Sequence, residues 1–281
     1  MHSRSPTPEN DIFSLSIVPD RENKAAGTTS TDLEGLLQTP ILLHEDLKQG
    51  CGGQLWPAGM ALAKYMLKYH RDLRDKSVIE IGAGGGLVGL AVASGCLISN
   101  GEKLLVTDQI SMLSLMEKNI ALNALESKVR ALVYDWGTDM PTEVASRLPG
   151  IHSQGRAFLD VVLAADCVYF EPAFPLLLQT LADLIGPSTV CYFCFKKRRK
   201  ADMRFIRDLM KKFLVQETEY EGSVQDRRDT IFLYKVTSKA GMLRKTTQYR
   251  EKHGFMRLKT RHFSSSESVH QAIPEGHRSR S

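Results

Sequence analysis

Ser77-Val78-Ile79-Glu80-Ile81-Gly82-Ala83-Gly84-Gly85-Gly86-Leu87-Val88-Gly89-Leu90-Ala91-Val92-Ala93 decides the fold class. An apolar run, a cluster of glycines and a second apolar run read in order as strand, tight turn and helix. Glycines at such a turn let the backbone approach a ligand where a Cβ would clash. The start of the following helix presents free N–H groups and a partial positive charge. Glu80 stands two residues before the first glycine, where a carboxylate repels phosphate but suits a cationic ligand.

Outward from this turn, strand-like and helix-like segments alternate. Pro57–Tyr69 reads as a helix with proline in its first turn. Val78–Ile81 is a strand and Leu87–Ser94 a helix, Leu104–Thr107 a strand and Ser111–Leu122 a helix. Val129–Val133 and Phe158–Ala164 are further strands, the latter a nearly unbroken apolar run of the kind covered on both faces. Phe174–Leu184 is a helix, Thr189–Phe195 a strand and Asp202–Phe213 a helix. Val215–Tyr220 and Thr230–Val236 close the pattern as a hairpin. The alternation predicts an α/β, doubly wound, mostly parallel sheet with a C-terminal antiparallel hairpin.

The ends read differently. Residues 1–35 are rich in Ser, Thr, Pro and charge and read as largely disordered, apart from a weakly alternating run at 11–18. Residues 239–281 read as a basic flexible tail, leaving 36–238 as the folded domain. Ten of the 37 Lys/Arg but only three of the 32 Asp/Glu lie from Lys239 onward, so residues 1–238 carry 27 basic against 29 acidic side chains. The net charge of +5 therefore sits in the tail and gives no support to nucleic-acid binding by the body. No apolar run is long enough for a membrane span, and the N-terminus lacks a secretory signal. The odd count of five cysteines, with a lone Cys191-x-x-Cys194 inside a strand-like run, reads as reduced thiols in the cytoplasm.

In open α/β sheets ligands lie beyond the C-terminal ends of the strands. Collecting those ends gives Gly82-Ala83-Gly84, then Asp108, then Asp135-Trp136, then Ala165-Asp166-Cys167-Val168-Tyr169. Asp108 can accept both hydroxyls of a ribose, or cap the following helix. Trp136 can cover an adenine or the methionine end of a cofactor, and Asp135 can accept an adenine amino group or cap its own turn. A dinucleotide fingerprint fails because its third glycine would fall on Leu87, and no Gly-Lys-Ser/Thr follows to make a P-loop. With Glu80 ahead of the glycines, the loop fits S-adenosylmethionine better. Asp166 and Tyr169 then face the place where the methyl donor ends. A carboxylate there can orient an amine and a tyrosine ring can wall an alkylammonium. Gly50-Cys51-Gly52-Gly53 lets the segment before Trp56 fold over a ligand, and Lys196-Lys197-Arg198-Arg199-Lys200 could meet an acidic protein or lie solvated.

Together these residues resemble the seven-β-strand protein-lysine methyltransferases over residues 36–238. The matching positions are Trp56-Pro57-Ala58, Glu80 to Gly89, Thr107-Asp108, Asn119, Asn123, Asp135-Trp136 and Asp166-Cys167-Val168-Tyr169. Ala165–Pro172 and Cys191–Lys197 look most like the fungal enzymes that methylate translation elongation factor 1-alpha. The resemblance implies a seven-stranded Rossmann-like sheet and S-adenosyl-L-methionine as cofactor. It implies cofactor contacts from Trp56, Gly82, Ala83, Gly84, Asp108, Trp136 and, through its backbone, Ala165. It also implies catalysis by Asp166 and Tyr169 without a metal, on a protein substrate, by a monomer. Gly85 departs from relatives that carry Thr or Ser there. The alternatives are a methyltransferase of another protein, small molecule or nucleic acid, or a cofactor-binding scaffold without turnover.

Overall fold

Cys191-Tyr192-Phe193-Cys194-Phe195 shows how this sheet is written. Successive side chains of a strand point to opposite faces. Tyr192 and Cys194 join one hydrophobic cluster, and Cys191, Phe193 and Phe195 join another across the sheet. All five are buried, so neither face of this strand meets water.

The computed structural model describes residues 26–47, 51–99, 104–146 and 159–239. The run at 11–18 and the tail from residue 240 lie outside the described residues. In chain order the elements are β1 (Gly27–Thr31), β2 (Ile41–Glu45), α1 (Pro57–Tyr69), β3 (Asp72–Leu73), β4 (Val78–Ile81), α2 (Leu87–Gly95), β5 (Leu97–Ile98), β6 (Leu104–Asp108), α3 (Ile110–Leu122), β7 (Val129–Val133), α4 (Thr142–Ala145), β8 (Val161–Ala165), α5 (Phe174–Leu184), β9 (Val190–Lys196), α6 (Lys200–Lys212), β10 (Phe213–Glu217), α7 (Ser223–Arg228) and β11 (Ile231–Ser238).

The central sheet has seven strands in the order β10-β11-β9-β8-β4-β6-β7. Pairings among β9, β8, β4, β6 and β7 are parallel, and β11 runs antiparallel between β9 and β10. Helices α1, α2 and α3 contribute buried residues to one cluster and α4, α5 and α6 to the other. The fold is therefore the doubly wound α/β sheet that the alternation predicts. Fully burying a side chain such as Phe193, Phe205 or Leu62 contributes about 1.5–3 kcal/mol each, which is why this pattern fixes the layers so firmly.

The C-terminal antiparallel hairpin is present, with α7 in its connection, Phe213 opposite Ser238 and Glu217 opposite Tyr234. One expectation changes. Residues 27–35, expected within a disordered segment, are ordered. β1 pairs antiparallel with β2, and Leu33, fully buried, joins the core.

The other edge of β2 is paired by side chains. Asn119 lies on α3 and Asn123, one turn on, caps its C-terminal end. Asn119 Oδ1 accepts the His44 N–H at 2.7 Å, while its amide donates to His44 O at 3.2 Å and to Gly85 O at 2.9 Å. Asn123 Oδ1 accepts the Leu42 N–H at 2.8 Å, and its amide donates to Leu42 O at 2.7 Å. The two amides reproduce the alternation of a neighbouring strand and tie the hairpin to the glycine turn.

The strand order reverses at β4. The chain runs from β4 to β6 and β7 on one side, then returns to β8 and β9 on the other. Such a switch point leaves a crevice outside the strand ends. Gly82 follows β4 there, and Asp166 follows β8.

Candidate active site

The glycine turn is shaped by what lies against it. Gly82 and Gly84 have φ of +59° and +55°, backbone that favours glycine. A Cβ on Gly82 would stand 2.8 Å from Cζ2 of Trp136 and 3.0 Å from Sγ of Cys167. A Cβ on Gly84 would stand 2.5 Å from Gly52 O. The turn therefore touches three expected parts of the site: the tryptophan after β7, the acidic turn after β8 and the glycine segment before α1. Gly53 O accepts the Asp46 N–H at 2.8 Å, holding that segment beside β2.

Asp108 ends β6 with both carboxylate oxygens in use. Oδ2 accepts the Gly84 N–H and Oδ1 the Gln109 N–H, each at 2.7 Å. Burial raises its pKa, with Asp135 adding to the rise. A carboxylate offers about four acceptor positions, so room remains on both oxygens for hydroxyl donors. Trp136 is half-buried and packs on the α5 side of the core. Its turn is held by the Gly137 N–H bond to Thr180 Oγ1 at 2.9 Å.

Glu80 corrects the sequence reading. Its carboxylate is 2% exposed and faces inward, accepting the Gly89 N–H at 2.7 Å. Gly89 lies in the first turn of α2, where backbone N–H groups lack helical partners. Gly86 precedes α2 without a side chain to cap it, and Glu80 supplies the acceptor from the strand instead. Burial pushes its pKa up to about 8. An anion aimed at the crevice, the expected reason for its place in the motif, is not what the fold builds.

The acidic turn also differs. Asp166 is 7% exposed, with φ of +55°, uncommon for a residue with a side chain. Its carboxylate is not a bare one. Arg198 grips it with both prongs, Nη1 to Oδ1 and Nη2 to Oδ2, each 2.9 Å. The Lys196 N–H adds a third bond to Oδ1 at 3.0 Å. The same guanidinium lies 5.1 Å from the centroid of the Trp56 ring, which stands at the start of α1. Arg198 thus links the ends of β8 and β9 to the start of α1. Sequence reasoning missed it by counting it in a surface charge run. The signal available was Asp166 itself, a carboxylate ending a buried strand and in need of a counter-ion.

The rest of that run divides. Arg199 pairs with the fully buried Asp202 at 3.0 Å, and Asp202 also accepts the N–H groups of Arg198 and Arg199 at the start of α6. Lys197 and Lys200 line a surface groove with Met203, Arg204 and Arg207. Tyr169 and Phe170 are exposed nearby in sequence, at 43% and 38%. Ala165 is half-buried beside them, with its carbonyl facing Cys167 Sγ at 3.7 Å.

These residues suit S-adenosylmethionine. Gly82 and Gly84 let the turn pack directly against Trp136, Cys167 and Gly52, with no side chain of its own between them. Asp108, with Asp135 near it, places acceptors for ribose hydroxyls and an adenine amino group beside it.

A protein-family model described as lysine methyltransferase matches residues 36–212. The protein-lysine N-methyltransferase EFM6 of Saccharomyces cerevisiae is 36% identical over 233 residues, spanning 75% of this chain and 92% of its own. The protein N-lysine methyltransferase METTL21A of Danio rerio is 33% identical, with 65% and 78% covered. The EEF1A lysine methyltransferase 3 of Xenopus tropicalis is 30% identical, with 70% and 80% covered.

Proposed function

We propose, from the premise that the chain belongs to the lysine methyltransferase family and is an S-adenosylmethionine-dependent protein-lysine N-methyltransferase, that it methylates a lysine of translation elongation factor 1-alpha in the cytoplasm. The factor is named in the descriptions of relatives called EEF1A lysine methyltransferase 3. The observation that carries the assignment of the site is the contact between its two halves. The Cys167 Sγ, in the acidic turn, lies 3.0 Å from where a Gly82 Cβ would stand. This packing of the acidic turn against the glycine turn supports reading Asp166 as the acceptor carboxylate beside the cofactor residues.

When bound, S-adenosylmethionine supplies an electrophilic methyl group on a sulfonium. Gly82, Gly84, Ala83, Ala165, Trp56 and Trp136 would enclose it, and Asp108 would accept its ribose hydroxyls with Asp135 alongside. Glu80 serves the glycine turn indirectly, by fixing the start of α2. Asp166 accepts an N–H of the substrate lysine and turns its lone pair toward the methyl. Tyr169 walls the alkyl end, where its ring also favours the cationic product. The lysine must arrive as the neutral amine, and the methylated ammonium would give its proton to solvent. Orientation of this kind can supply several kcal/mol of a barrier. The free, buried thiols of Cys96, Cys167, Cys191 and Cys194 suit a reducing compartment, and among the described residues no helix is long and apolar enough to cross a membrane. The working unit in this reading is a monomer.

The test is transfer of labelled methyl to purified elongation factor 1-alpha by Asp166→Asn, Tyr169→Phe and Tyr169→Ala. Asp166→Asn should lose turnover while retaining cofactor affinity by calorimetry. Tyr169→Phe should be milder than Tyr169→Ala, because the ring makes the wall. Full turnover by Asp166→Asn would remove Asp166 from the site.

A further inference from the structure

Resting on the reading that Asp166 receives the substrate lysine, we infer that Arg198 is a positioning residue that makes this carboxylate select the neutral amine over the ammonium. Methyl transfer needs a nitrogen with a free lone pair. A bare carboxylate works against that need, because an opposite charge at a few ångström stabilises the ammonium. A lysine free in water already keeps its proton to a pKa of about 10.4. Pairing the carboxylate with a guanidinium cancels this attraction, since arginine stays charged at every working pH.

The geometry supports the assignment in three ways. Of about four acceptor positions on a carboxylate, the Arg198 fork and the Lys196 N–H take three. One is left, enough to orient an amine through a single N–H but not to satisfy an ammonium. The pair is largely withdrawn from water, with side-chain exposures of 22% for Arg198 and 5% for Asp166. Its charges therefore act strongly on whatever binds beside them. Arg198 is itself fixed, by the Trp56 ring on one side and by its own N–H to Asp202 Oδ2 at 2.8 Å on the other.

The neighbouring ionisable groups do not replace it. Cys167 beside Asp166 and Cys194 on β9 are buried, which raises their pKa and keeps them neutral. Glu80 on β4 and Asp108 on β6 act on Cys167, and Asp226 on α7 acts on Cys194. Asp108 and Asp226 are acids that would themselves favour an ammonium, and Glu80, its pKa pushed up to about 8 by burial, holds its proton near neutral pH. Arg199 is paired with Asp202 and Arg204 with Glu171 on the adjoining turn. Lys196, at the end of β9, contributes the N–H already counted.

The experiment is the pH dependence of kcat for wild type, Arg198→Gln and Arg198→Lys, with elongation factor 1-alpha as substrate, alongside calorimetry for S-adenosylmethionine. Binding of the unmethylated factor is measured in parallel with S-adenosylhomocysteine present. Arg198→Gln should move the rising limb of kcat to higher pH by about one unit or more, the size expected when a nearby like charge is lost. At neutral pH its kcat should fall while KM and the affinity for the factor stay level or improve. Arg198→Lys should keep the wild-type limb at a lower kcat, since it keeps the charge but loses the fork. An unmoved limb in a folded Arg198→Gln overturns the inference. So does a shifted limb in Arg198→Lys, which also decides the matter if the glutamine variant does not fold. Failure here is separable from failure of the parent reading: turnover by Asp166→Asn defeats the reading, whereas an inactive Asp166→Asn with an unmoved Arg198→Gln limb defeats only the role of Arg198.

Discussion

Replacing Glu80 by Gln should stabilise the protein at alkaline pH and leave it nearly unchanged in acid. Gln keeps an oxygen to accept the Gly89 N–H at the start of α2 but has no charge to bury. The native carboxyl has its pKa raised from 4.5 to about 8, chiefly by burial. A raised folded pKa means that the native state holds its proton more tightly than the unfolded chain. Stability from this group is then complete below pH 4.5 and is lost as pH rises toward 8. Through the middle of that window the loss runs at about 1.4 kcal/mol per pH unit. Between pH 5.5 and pH 7.5 the variant should therefore gain about 2–3 kcal/mol over wild type. In a domain of this size that is a gap in Tm of the order of 5–10 °C. Thermal melting without cofactor, at several pH values in matched ionic strength, reads it directly. Parallel curves, with a gap that does not widen with pH, would show that Glu80 is ionised in the native protein and that its burial has been misjudged.

At the glycine turn, Gly84→Arg should abolish cofactor binding in calorimetry, because even a Cβ there meets Gly52 O at 2.5 Å and φ is +55°. Asp108→Ala should weaken binding by about ten- to a hundredfold, the loss of charge-assisted bonds to two hydroxyls; wild-type affinity in both variants would dismiss the cofactor assignment. On the surface, changing Lys197, Lys200 and Arg207 to Ser should raise KM for elongation factor 1-alpha several-fold at low salt and flatten its salt dependence, with cofactor affinity unaltered. Unchanged kinetics at low salt would make this groove an ordinary solvated face.

The sheet was legible because its strands are buried on both faces. Val78–Ile81, Leu104–Thr107 and the run through Phe195 carry their apolar side chains in sequence, and a glycine turn marks the switch point. Strand β1 was not legible. Gly27-Thr28-Thr29-Ser30-Thr31 has no aliphatic side chain and is held by pairing with β2, itself anchored by asparagines some 80 residues away in the chain. At the crevice, residue types could be collected by their place at strand ends, but the direction each side chain takes could not. Glu80 turns inward because α2 begins at Leu87 without a side-chain cap. Arg198 turns inward because Asp166 is buried, while its neighbours Lys197 and Lys200 stay at the surface. Five adjacent basic residues carry no mark of that division except Asp202, which gathers Arg198 and Arg199 at the start of α6.

The asparagine grip on β2 also governs where this family of sequences is free to drift. Asn119 and Asn123 bind Leu42 and His44 only through main-chain N–H and C=O groups. The side chains at those two positions point away, Leu42 being 37% exposed. The grip is therefore blind to what residues 42 and 44 are, with proline the one exclusion, because it has no N–H to give. Mutational tolerance on the strand is matched by intolerance on the helix. Aspartate at 119 would turn an oxygen toward the carbonyls of His44 and Gly85, and at 123 toward that of Leu42. Substitutions at residues 42 and 44 would leave the glycine turn undisturbed, while a single altered atom on Asn119 would reach it.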